Sequence, residues 1–181
     1  MRSKSALIDR QDSYGAVSRV IHWTMAIAVF ALFALGWWMV GLDYYSPYYN
    51  SAPELHRNAG MLLLAVLVVR IVWRMGNVKP GNDGLAPFEQ HAARIVHVAF
   101  YPLLAVLMVS GYLISTADGR PIDVYGWLHV PAIAEIKGFE DVAGFVHEWT
   151  AYAIMGLAAI HSAAAIRHRF MDKRTAGNRM W

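Results

Sequence analysis

Four stretches of the chain stay apolar for the length of a bilayer crossing, and polar residues interrupt them mainly at their ends. They run about Val17–Val40, Pro53–Met75 (driest at Ala59–Val69), Ala92–Ile114 and Val142–Ile166. A hydrocarbon core of about 30 Å takes about 20 helical residues to cross. The pattern therefore predicts an all-α, integral membrane four-helix bundle. Pro53 suits the first turn of the second helix, and Pro102 predicts a kink in the third. Lys79-Pro80-Gly81-Asn82-Asp83-Gly84 reads as a loop. The connection Ala117–Asp141 carries an apolar patch at Tyr125-Gly126-Trp127-Leu128, from which a short surface helix is expected. The first apolar run is longer than a signal-peptide core and lacks a small-residue cleavage pattern after it, so it is expected to be retained. This divides the chain into a polar segment 1–16, a bundle 17–170 and a tail 171–181.

Composition agrees: 57% of the 181 residues are hydrophobic and 16% charged, against about 25% charged in soluble domains. Charge then orients the bundle. With the N-terminus in the cytoplasm, thirteen Lys and Arg fall on the inner side, among them Arg19, Arg70, Arg74, Lys79 and Arg167. Only Arg57, Arg120 and Lys137 fall outside. That asymmetry follows the positive-inside rule, and it predicts that both termini are cytoplasmic. Topology thus accounts for the isoelectric point of 9.3, and no nucleic-acid partner is implied.

Candidate chemistry sits on histidines. His147 and His161 are fourteen residues apart in the fourth span, which returns them to nearly one helix face about 21 Å apart. His22 opens the first span and His56 the second. By depth, His22 matches His161 near the inner surface, and His56 matches His147 near the outer one. Ionisable residues in membrane spans usually face the bundle interior. One such histidine reads best as an interhelical hydrogen bond; four at matched depths suit two stacked bis-histidine hemes. The chain has no cysteine, so a heme would be held noncovalently, as b-type. A transported metal ion is the other reading, since imidazole binds Zn, Cu and Ni. It is weakened because the histidines fall into two distant pairs, and because His147-Glu148 ends at Ala151, where a zincin motif needs histidine.

Neighbouring residues add smaller signals. Gly60, Gly144 and Gly156 flank the histidines and suit either a flat macrocycle or close helix packing. Arg19 and Arg57 lie beside His22 and His56, where they suit heme propionates or snorkelling to headgroups. Arg70 and Arg74 suit lipid phosphate first, then a propionate or quinone. His168, seven residues after His161, reads as an interfacial histidine, with a propionate or quinone contact as the alternative. His91 and His97 are six apart, hence on different faces, and are set aside with His129. Trp37-Trp38 and Tyr44-Tyr45-Ser46-Pro47-Tyr48-Tyr49 form an aromatic belt.

Several fragments together resemble the bacterial cytochrome b561 family: Arg19-Val-Ile-His22-Trp23, Glu54-Leu-His56-Arg-Asn-Ala-Gly60, Val68-Val-Arg70-Ile-Val-Trp-Arg74, His147-Glu148 and Ile160-His161-Ser-Ala-Ala. The resemblance covers about Tyr14 to Met171. It implies a multi-pass cytochrome b of the bacterial inner membrane with two noncovalent hemes b, the inner on His22 and His161, the outer on His56 and His147. Ubiquinone is the implied electron partner, and superoxide oxidation at the outer face is described for at least one member. Eight outer acids against three outer bases leave five net negative charges, which repel an anionic substrate. Related cytochrome b subunits dock on hydrogenase or dehydrogenase partners, so a membrane-anchor subunit serving such a partner, or a soluble cytochrome, is the alternative.

Overall fold

The computed structural model describes residues 7–81 and 85–172. Four helices carry the chain: α1 (Ala16–Met39), α2 (Ser51–Met75), α3 (Pro87–Thr116) and α4 (Phe139–Ile166), with α4 running into a π-helical turn at Arg167–Met171. All four are long and apolar enough to cross a membrane, and the molecule is an all-α membrane bundle. Between 6% and 22% of each span's most apolar window is buried inside the bundle. The remaining apolar surface therefore needs lipid, because water would penalise it.

Helix starts explain where the spans outrun the hydrophobic pattern. Pro87 opens α3 with its ring at the first helical position, and the Ala86 N–H donates to Glu89 Oε2 at 2.9 Å, half of a capping box. Gly138, at φ 81°, precedes α4, and Glu140 and Asp141 lie in the first turn, where carboxylates favour the helix dipole. Pro53 lies in the first turn of α2, as expected. Pro102 does not interrupt α3, which runs on to Thr116.

Consecutive helices pack side by side: α1 on α2, α2 on α3 and α3 on α4. Met25, Leu63, Leu67 and Met108 form the buried centre of the first three. Helix α4 forms no extended backbone seam with α1 or α2. That stand-off matters for the site, because side chains of α4 nonetheless meet side chains of both.

The connection after α3 is a β-hairpin, not the surface helix expected from its apolar patch. Strand β1 (Ile122–Val124) pairs antiparallel with β2 (Leu128–Val130). Ile122 and Val124 are each 1% exposed while Asp123 between them is exposed, the period of two that defines a strand. Tyr125 and Gly126 take positive φ, 51° and 78°, and the Trp127 N–H donates to the Val124 carbonyl at 3.3 Å. Such a turn follows the strand twist, and glycine supplies its second centre. Tyr112 anchors the return by donating to the Pro131 carbonyl at 2.7 Å and accepting from the Ile133 N–H at 3.0 Å.

At the opposite end, Asp9 ties the segment before α1 to the bundle. Its carboxylate accepts from the Gly15 N–H and the Ser18 hydroxyl, both at 2.8 Å, and Arg74 Nη1 lies 3.7 Å away. Ser18 in turn accepts from Trp73 Nε1 at 2.9 Å. Asp9→Ala should cost about 1–3 kcal/mol, since it strands buried donors. Asp9→Asn, which keeps an acceptor for Gly15, should cost less. Heat unfolding in detergent measures both, and equal midpoints for the two variants would show that the carboxylate network is not what holds this end.

Candidate functional site

Two layers of imidazoles line the stand-off between α4 and the α1–α2 pair. In the layer nearer the hairpin, the rings of His56 and His147 lie 6.1 Å apart, centre to centre, at 74°. Each ring rests on a glycine of the preceding helix. A Cβ on Gly36 would lie 3.1 Å from His56 Cε1, and one on Gly111 would lie 3.0 Å from His147 Cε1. Any larger residue there displaces the ring.

The two seats share a spacing. His147 Nδ1 is 2.8 Å from the Leu107 carbonyl, four residues before Gly111, with Ser110 Oγ 3.3 Å away. A carbonyl only accepts, so Nδ1 carries the proton and Nε2 keeps its lone pair. On the other side the Leu32 backbone, four residues before Gly36, flanks His56. It falls outside hydrogen-bond geometry, and His56 Nδ1 is a buried nitrogen without a partner.

The layer nearer the termini holds His22 and His161, 6.4 Å apart at 74°. A third ring joins them, because His97 of α3 lies 5.2 Å from His161, and Phe100 lies 5.9 Å from it. The separation of His91 and His97 is as expected, and only His97 enters the cluster, so setting both aside missed it. Its position near the start of the third span, at the depth of His22, was the usable signal.

Arg70 is turned into the bundle. Its Nη2 is 3.4 Å from His22 Nδ1, its Nη1 3.8 Å from Met25 Sδ, and its Cζ 5.9 Å from the Tyr101 ring centre. The preference for lipid phosphate is therefore corrected at this residue, whose guanidinium faces the histidine layer. The second ring nitrogen thus meets a carbonyl at His147, whereas at His22 the neighbour is a guanidinium, which has no acceptor.

The other residues singled out from the sequence scatter. Arg74 pairs with Asp9. Arg19 is half-buried in the first turn of α1, and Arg57 is exposed beside His56. His168 sits on the π-helical turn, 2.9 Å from Asp172. A Cβ on Gly60, Gly144 or Gly156 would meet no atom within 4 Å, so close helix packing does not explain these three. On the hairpin face, Arg120 pairs with Asp118 at 2.5 Å and Lys137 with Glu135 at 3.7 Å, which removes two of the three bases available to attract an anion.

Four membrane-length helices with layered interior histidines define a class, the helical membrane proteins with sites built inside the bundle. Sequence comparison narrows it. The family model of prokaryotic cytochrome b561 matches residues 13–181. Cytochrome b561 homolog 2 of Escherichia coli (strain K12) is 45% identical over 171 residues, 93% of this chain and 91% of that protein. Heme A synthase of Bradyrhizobium sp. (strain ORS 278) is 30% identical over 148 residues, 74% of this chain and 40% of that protein. The chain belongs to the prokaryotic cytochrome b561 family, and with it to the b-type, electron-transferring, multi-pass cytochromes of bacterial membranes.

Proposed function

We propose that the chain holds two hemes b, one between His56 and His147 and one between His22 and His161, and that it exchanges electrons with membrane ubiquinone. The observation carrying this reading is the spacing of the two ring pairs, 6.1 and 6.4 Å. With metal–imidazole bonds of about 2 Å, rings on opposite sides of one metal have centres roughly 6 Å apart. The donor chemistry agrees, since Nε2 of His147 is left as a lone pair by the Leu107 bond. The stand-off of α4 gives width for a flat group, and Gly60 and Gly144 leave side-chain volume free beside the hairpin-side pair.

Heme b supplies one-electron chemistry when bound, at a potential set by ligands, hydrogen bonds and burial. The protein's part is to fix and shield it. Gly36 and Gly111 seat the hairpin-side rings, and Leu107 holds the tautomer of His147. Beside His22, Arg70 offers charge-assisted bonds to a propionate. Held by two imidazoles each, the hemes would supply electron transfer in preference to oxygen chemistry. In this reading both termini face the cytoplasm across the bacterial inner membrane, which the excess of Lys and Arg on that side supports.

Spectroelectrochemical titration of the purified protein should give two hemes b per chain, reducible by ubiquinol. One heme or fewer per chain, or no reduction by ubiquinol, would overturn the proposal. The acid excess and paired bases of the hairpin face favour a second reading for the other electron partner: a cationic redox protein in place of superoxide. Copurification from native membranes tests it; turnover of superoxide by the isolated chain would count against it.

A further inference from the structure

A second cluster of ligating side chains lies at the terminal end of the bundle, away from the paired rings. Glu89 comes from the first turn of α3, and His168 and Asp172 from the π-helical turn after α4 and the residue that follows it. One donor atom from each lies within 4.8 Å of the others. We propose that Glu89, His168 and Asp172 form a binding site for a divalent first-row transition ion, with Zn2+ as its representative.

The backbone builds this constellation from residues nearly eighty positions apart. At the turn Arg167–Met171 the Asp172 N–H bonds to the Arg167 carbonyl at 3.1 Å, a span of five residues in place of four. That wider turn returns the Asp172 carboxylate to the ring of its own turn, with Oδ2 2.9 Å from His168 Nδ1. Such turns recur at functional positions. Helix α3 presents Glu89 opposite because its first turn begins at Pro87.

The donor set has the right chemistry. One imidazole and two carboxylates are all ligand types that Zn2+ accepts, and three protein ligands leave a position open for water; the imidazole is what favours a transition ion over Mg2+ or Ca2+. Supporting contacts are present as well. The Ala86 N–H fixes Glu89 Oε2 at 2.9 Å, and Arg167 Nε lies 3.7 Å from Asp172 Oδ2. Outer contacts of this kind hold ligating carboxylates in place. The side chains of His168 and Asp172 are only 15% and 21% exposed, so the pair is sheltered but reachable from solvent. Bound metal would bridge His168 and Asp172 to Glu89, and so would fasten the start of α3 to the end of α4.

The test uses untagged, heme-loaded protein in detergent, titrated with Zn2+ against a chromophoric chelator. One tight site per chain is expected, with a rise in the thermal unfolding midpoint on binding. His168→Ala, Asp172→Asn and Glu89→Gln should each weaken that site at least tenfold and abolish the rise. His129→Asn, at an exposed histidine in the hairpin, should leave both unchanged. Retention of the heme spectrum shows that each variant is folded. Wild-type protein without a stoichiometric Zn2+ site, or a site that survives His168→Ala, would overturn the proposal; neither result bears on the heme ligands.

Discussion

His147→Ala should lower the heme content from about two to about one per chain, and His161→Ala should do the same by removing the other heme. The magnitude follows from the ligand count. A bis-histidine heme held noncovalently would keep only one ligating residue when the other is lost. In the hairpin-side layer only His56 opposes His147 among the described residues. The layer nearer the termini differs, because His161 has two neighbours. His97 is the nearer, at 5.2 Å against 6.4 Å for His22, yet 5.2 Å is shorter than the roughly 6 Å that two rings across one metal require. The expected ranking is therefore that His22→Ala loses the heme and His97→Ala keeps it. Pigment stoichiometry and the low-spin spectrum decide. Loss in His97→Ala with retention in His22→Ala would move the ligand pair to His97 and His161.

Depth and face carried most of what the sequence made legible. The spans and the pairing of the four histidines emerge from apolar run lengths and a fourteen-residue spacing, because helical periodicity is local, whereas the family resemblance rests on fragments such as Arg19-Val-Ile-His22-Trp23. What escaped depends on contacts between helices. Gly36 and Gly111 carry no mark that separates them from Gly60 or Gly144; only the partner ring does. Arg70 and Arg74 share one helix end and one sequence signal, yet one faces His22 and the other Asp9, because the segment before α1 folds back and supplies a carboxylate for the second. The hairpin was missed for a different reason. Its strands are three residues each, too short for an alternating pattern to outweigh an apolar patch at a membrane surface.

The glycine seats lead to the second large expected effect. Gly111→Val and Gly36→Val should each remove the heme of the hairpin-side layer while leaving the other in place. At Gly111 the first added carbon already falls 3.0 Å from His147 Cε1 and 3.2 Å from Nδ1, and valine brings two methyls more. The ring cannot retreat without giving up its bond to the Leu107 carbonyl, so either the tautomer or the position of Nε2 is lost. Gly36 is the more forgiving seat, since His56 Nδ1 has no hydrogen bond to break, and Gly36→Ala should weaken heme retention less than Gly111→Ala does. Alanine is the better helix former by about 1 kcal/mol, so the helices themselves should not suffer. Gly156→Ala, where a Cβ meets nothing within 4 Å, should keep both hemes. Heme-to-protein ratio and the reduced absorption bands provide the readout. A Gly111→Val protein that retains two hemes with unaltered bands would show that His147 does not sit on this glycine when it binds iron.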